Sequence, residues 1–198
     1  MRLHEGQANS LNQQQFQDVI EHVKATSRHI IRDIAILQVS YRCGLRAMEI
    51  AGLNLTDLVN KNGDINKHIP LRKKTTKGSR GGVAYFTHPD VRVALEEYIV
   101  EIRSKISTDC NKVFLSQKGT PFSASSMSRL FGTLYKKAGM EGCTGHTGRR
   151  SLARNLNAQN VSVYNIQKIL RHASIETTVN HYLSVDEEVL ANIVGNTV

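Results

Sequence analysis

The sequence has no run of some 18 apolar residues, so it offers no membrane-spanning helix. Its first residues, Met1-Arg2-Leu3-His4-Glu5-Gly6, lack the apolar stretch of a secretory signal. Cysteine is scarce: Cys43, Cys110 and Cys143 lie far apart, are odd in number and form no Cys-x-x-Cys pair. That argues against a disulfide scaffold or a structural zinc site and for a reducing compartment, the cytoplasm. There is no internal repeat and no low-complexity tract. No carboxylate cluster suited to Mg²⁺ stands out, which removes the usual metal-dependent nuclease from consideration. Acidic residues are also in deficit, 17 Asp+Glu against 26 Lys+Arg, for a formal net charge of +9. In a water-soluble domain this excess points to a polyanion, most often nucleic acid. The cations cluster at Arg72-Lys73-Lys74 with Lys77 and Arg80, and again at Arg149-Arg150 with Arg154.

What is present suits one domain with a true core: 198 residues, 40% of them hydrophobic and 22% charged. Apolar spacing predicts a first helix capped by Ser10 or Asn12, with Phe16, Val19, Ile20 and Val23 on one face. Residues 1 to 10 read as polar and frayed. A stronger helix, capped by Ser27, carries Ile30, Ile31, Ile34 and Leu37 and ends at Gly44. A short helix follows over Leu45 to Ile50. Asp57-Leu58-Val59, Ile65 to Leu71 and Val83 to Thr87 read as strands joined by turn-rich connectors. Pro89 opens the next helix at its first position, with Val91, Ala94, Leu95, Tyr98, Ile99 and Ile102 as its stripe. Further helices are expected over Ser123 to Ala138, His146 to Ala158, Ser162 to Arg171 and Ile175 to Leu183. The class is therefore mainly α with a small three-stranded antiparallel β-sheet (α+β).

Chemistry concentrates in two places. One is Gly44-Leu45-Arg46-Ala47-Met48-Glu49; the other runs from Gly145-His146-Thr147-Gly148-Arg149-Arg150 through Leu170-Arg171-His172 and Thr177-Thr178 to His181-Tyr182. These boxes, in this order, resemble the catalytic domain of the tyrosine recombinase (phage integrase) family. That family carries Gly-Leu-Arg-x-x-Glu early, a lysine on a β-turn, a His-x-x-Arg box, and a Leu-Gly-His box leading through Thr-Thr to a tyrosine. The match spans about residues 12 to 185. Each box alone is weak. Arg46 by itself could equally be a surface arginine paired with Glu49, and Tyr182 a packing residue. Two details depart from the pattern: Arg171 stands where glycine is usual, and ten residues rather than nine separate His172 from Tyr182. A nine-residue interval would end on His181.

The physical logic agrees with the resemblance. Attack on a DNA phosphodiester builds negative charge, and arginine, a planar fork that stays protonated, answers it best. Arg46 and Arg149 can clamp the two non-bridging oxygens without a metal. A phenol has a pKa of about 10, so Tyr182 as nucleophile needs a positive site and a base, for which His146 is placed in sequence. His172 would hydrogen-bond the phosphate or brace its neighbours. The resemblance implies a covalent 3′-phosphotyrosine and a free 5′ hydroxyl. It also implies a turn lysine that protonates the leaving 5′ oxygen, here Lys77 with Lys74 as the alternative. Arg72, Lys73, Lys74, Arg80, Arg150 and Arg171 are expected DNA contacts.

By the same resemblance the partners are double-stranded DNA and three further copies of the chain in a synaptic tetramer. A monomer free in solution and accessory DNA-bending proteins complete the expectation; no membrane and no cofactor enter it. The work would be done on DNA in the cytoplasm of a bacterial, phage or other mobile-element host. Residues 1–11 are expected to be a flexible N-terminus, 12–185 the catalytic domain, and 186–198 a helical tail, exchanged between subunits or packed on its own domain. No separate N-terminal DNA-clamping domain is expected, because the residues before Gly44 belong to catalytic-domain helices. The chain is then either a minimal single-domain recombinase, like the fimbrial-switch invertases in layout, or a fragment. A type IB-like topoisomerase needs the same residues, and a non-catalytic DNA-binding regulator could keep the same fold.

Overall fold

The computed structural model describes residues 8–72, 81–105 and 109–182. They divide into two compact units, one within residues 1–152 and one within 153–198.

The first unit begins with α1 (Gln13–Thr26). Asn12 caps it reciprocally: its side chain accepts from Gln15 N while the Gln15 side chain accepts from Asn12 N. The predicted face is the buried one, Phe16, Val19, Ile20 and Val23. Each contributes about 1.5–3 kcal/mol by leaving water. Phe16 stacks on Tyr41 of α2 (Ile30–Cys43), with ring centroids 3.8 Å apart.

Helix α2 runs through the core. Ala35, Ile36, Leu37, Val39, Tyr41 and Cys43 are all buried, so it is apolar nearly all round. The expected inward stripe is shifted accordingly: Ile30 is exposed, and Ile31 and Ile34 are only partly buried. Ser27 does not cap α2 as expected; His29 is its N-cap. The Ser27 hydroxyl instead donates to Asp33, whose other oxygen accepts two bonds from Arg32. That pairing allows both charges to be buried. Gly44 closes the helix in the left-handed conformation, as expected of its position.

After α3 (Ala47–Gly52), the stretch expected as the first strand forms a single helical turn, α4 (Leu55–Leu58). The Asn54 side chain donates to Asp57, and Arg72 holds the same carboxylate, which fixes the turn. Only an isolated bridge, Val59 to Ile65, remains of the outer pairing. Among the described residues the sheet therefore has two strands rather than three: β1 (His68–Leu71) and β2 (Gly82–Tyr85), antiparallel, with His68 opposite Tyr85 and Leu71 opposite Gly82.

Helix α5 (Pro89–Glu101) starts on Pro89 as predicted and buries Val91, Ala94, Leu95 and Tyr98. The Tyr98 hydroxyl donates to Val113 O and accepts from Leu115 N, holding the apolar run 113–115 without a full strand. Burial pushes this phenol's pKa upward. Helix α6 (Ala124–Lys137) is capped by Ser123 and buries Met127, Phe131, Leu134 and Tyr135. Helix α7 (Thr147–Ala158) begins in the first unit, and the boundary falls within it. The second unit continues with α8 (Val163–Leu170), capped by Ser162, and α9 (Ile175–Tyr182). Among the described residues, no helix is long and apolar enough to cross a membrane.

Candidate active site

In the first unit the early box and the His-x-x-Arg box meet. Arg46 precedes α3 and is half-buried. Glu49, fully buried one helical turn on, accepts from Arg46 N at 2.8 Å and from Arg46 Nη1 at 2.9 Å. The carboxylate thus caps α3 and sets the direction of the guanidinium. A guanidinium has five donors, so this bond orients it without using its capacity for anions. The pairing with Glu49 that would have marked a surface arginine is present, yet one partner is buried, which makes it an orienting contact. Glu49 is the residue sequence reasoning undervalued. The available signal was a Glu three positions after the residue that opens a short helix.

Arg149 is fully buried and donates from Nη1 to Gly44 O at 2.6 Å, across 105 positions of sequence. A buried cation is tolerable only when hydrogen-bonded, and the carbonyl ending α2 supplies that bond two residues before Arg46. Gly148 explains why α7 can come so close. A Cβ there would lie 2.4 Å from Ser40 Oγ, 2.8 Å from Ser40 C and 2.9 Å from Tyr41 N. The first turn of α7 therefore lies directly on the backbone of α2. His146 is exposed just before α7, and its N–H donates to Thr144 Oγ1 while its carbonyl accepts from Arg150 N.

The expected DNA contacts have local partners. Arg72 is exposed and grips Asp57 with both Nε and Nη2. Arg150 is half-buried and donates to Ala8 O at 2.6 Å. Lys73, Lys74, Lys77 and Arg80 lie outside the described residues, and so does the tail from residue 186 onward.

In the second unit, His172 and Thr178 are buried and joined, Nδ1 to Oγ1, at 2.8 Å. The bond fixes the imidazole plane and occupies one ring nitrogen. Thr178, seen in the sequence only as part of a box, thereby becomes a bracing residue. Arg171 caps α8 in the left-handed conformation, φ 56° and ψ 44°. Its N–H donates to Lys168 O, and His172 N donates to Gln167 O, so this turn delivers His172. Tyr182 is the last residue of α9, directly after His181. Among the described residues no group of three or more His, Cys, Asp or Glu side chains is placed to hold a metal ion.

The chain is similar to known proteins in both sequence and fold. The model of the phage integrase family matches residues 9–188. Tyrosine recombinase XerC of Leptospira interrogans is 29% identical over 164 residues, covering 82% of this chain and 50% of that protein. XerC of Thermodesulfovibrio yellowstonii is 31% identical over 170 residues, covering 81% of this chain and 54% of that protein. The chain spans about half the length of these curated relatives. Among solved structures, the XerA recombinase shares the fold with a TM-score of 0.74 at 24% identity, covering 96% of this chain and 65% of that one. The XerH site-specific recombinase in a post-cleavage complex with palindromic difH substrate does so with a TM-score of 0.76 at 20% identity, covering 99% and 55%. A match over nearly the whole chain identifies it: the protein is a member of the phage integrase family.

Proposed function

We propose that this chain supplies the catalytic domain of a site-specific DNA recombinase, residues 12–185, with residues 186–198 as a tail able to exchange between subunits. Arg46 and Arg149 act on the non-bridging oxygens of one scissile phosphate. The Tyr182 phenol, deprotonated with the help of His146, attacks phosphorus. The new P–O bond to tyrosine forms as the bond to the 5′ oxygen breaks. That oxygen takes a proton from the turn lysine, Lys77 or Lys74, and becomes a free hydroxyl. His172, braced by Thr178, hydrogen-bonds the phosphate. Reversal by a 5′ hydroxyl from another duplex exchanges strands with no external energy source, because the ester bond energy is kept. Double-stranded DNA is the substrate and four copies form the synapse, assisted by DNA-bending proteins. The host cytoplasm of a bacterium or mobile element is where it works.

The observation that carries this reading is the junction of Arg149 with the Gly44-Leu45-Arg46 turn. Two arginines from distant stretches are gathered in the first unit, one set by Glu49 and the other by a main-chain carbonyl. Such preorganised donors stabilise charge that develops in a transition state. The test uses a nicked suicide duplex drawn from the flanks of the gene, in the presence of EDTA. Wild type is expected to give a protein–DNA adduct that survives denaturation, and Tyr182→Phe none. Equal behaviour of the two would sink the mechanism. Relaxation of supercoils without any joined product would replace recombination by a topoisomerase activity.

A further inference from the structure

Helix α7 is held from a second side, by the start of the described chain. Arg150 Nη1 donates to Ala8 O at 2.6 Å. Leu11 N donates to Ser151 Oγ at 2.8 Å, and that hydroxyl donates in turn to Thr147 O at 2.9 Å. Asn9 fastens the same segment to the loop before α7: its N–H donates to Gly142 O at 3.0 Å and its Nδ2 to Glu141 O at 2.9 Å. Leu11 and Ser151 are buried. Residues 8–11 are thus a strap tied to the two residues that follow Arg149. All of these contacts lie within the first unit.

Successive helical residues point about 100° apart, so Arg149, Arg150 and Ser151 leave α7 in different directions. Arg149 ties the first turn to the end of α2; Arg150 and Ser151 tie it to the strap. A helix end held on one side only can roll or slide, and an error near 1 Å at a reacting group costs about a hundredfold in rate. Arg150 is also half-buried and donates to a carbonyl, which suits a structural tie better than a phosphate contact.

The geometry points to Arg150 and Ser151, with the strap Ala8–Leu11, as positioning residues that hold Arg149 in register for the strand-cleavage step, rather than as part of the DNA-binding face. This rests on the function proposed above.

The experiment compares adduct formation on two suicide duplexes, one with an ordinary scissile phosphate and one with a neutral methylphosphonate there. A neutral centre needs no guanidinium to offset its charge, so a defect that acts through Arg149 should fade on it. Arg150→Gln is expected to slow adduct formation roughly ten- to a hundredfold on phosphate and to recover on methylphosphonate. Its DNA affinity and salt dependence should stay at wild-type values, and Arg150→Lys should restore part of the rate. Asn9→Ala, which changes no charge, should show a smaller defect of the same kind. A lower affinity with a salt slope reduced by about 0.9 would make Arg150 a phosphate contact and overturn the inference. Equal defects on both duplexes would overturn it too, as would an unchanged rate. Amide hydrogen exchange on the DNA-free protein reads the clamp independently: Arg150→Gln should speed exchange at Leu11 and over residues 147–151. Unchanged exchange refutes the clamp, whereas absence of any wild-type adduct refutes the proposed function.

Discussion

Arg171 shows most directly how a single residue can be set against its backbone. It occupies a left-handed position at the end of α8, where a side chain costs about 1–2 kcal/mol relative to glycine. Part of that cost is offset, since its Nη1 donates to Ile169 O at 2.8 Å. Arg171→Gly is therefore expected to stabilise the protein by about 1 kcal/mol, raising the midpoint of thermal unfolding by about 2–4 °C. A fall in the midpoint would mean that the arginine's own contacts outweigh its backbone strain. The position was visible in the sequence as a departure from the family's glycine, but its reason was not. A left-handed φ at a helix end is written in the glycine itself, and once another residue stands there the signal is gone.

Helix α7 sets the terms at the scale of elements. Gly148 lets its first turn lie on the backbone of α2, and a methyl group there would meet atoms of Ser40 and Tyr41 at less than 3 Å. Gly148→Ala should cost about 1–3 kcal/mol, seen as a lower midpoint in chemical denaturation, with slower adduct formation as Arg149 moves off Gly44 O. An unchanged midpoint would show that α7 can shift freely, against the close packing described. Helix placement was largely legible beforehand. Of Ser10 and Asn12, it is Asn12 that caps α1; Pro89 opened α5 at its first position, Gly44 closed α2, and the helix expected from Ser123 formed with that serine as its cap. Long-range choices were hidden. Asp57-Leu58-Val59 reads as a short strand before a turn-rich connector, yet Asn54 and Arg72 capture the Asp57 carboxylate and close a helical turn. The polar start of the chain looked frayed, yet residues 8–11 find their partners more than 130 positions away. The boxes themselves were legible as a set. The buried Glu49 and Thr178, which aim Arg46 and His172, were not, because their importance lies in burial and direction.

For the molecule as a whole, charge is the property that acts at a distance. With a formal net charge of +9, association with duplex DNA should fall steeply as salt rises, since each phosphate neutralised releases counterions. About five contacts would give a slope of log K against log salt of about −4.5. Titration of a labelled duplex at several salt concentrations measures it, and a nearly flat line would contradict a basic DNA-binding face. Arg72 and Arg150, engaged by Asp57 and Ala8, should contribute less to that slope than their charge suggests.

The ties that close the first unit also fix when it can be completed. Gly44 waits for Arg149, 105 residues later; Leu11 waits for Ser151, 140 later; Ala8 waits for Arg150, 142 later. On a translating ribosome that wait is on the order of ten seconds. During it Arg46 and Glu49 have emerged, but the other arginine and the anchor of the strap have not. Closure of distant ends carries a loop-entropy cost before any contact rewards it. Until those residues emerge neither tie can form, so the first unit closes only late in synthesis, well after α1 and α2 have been made.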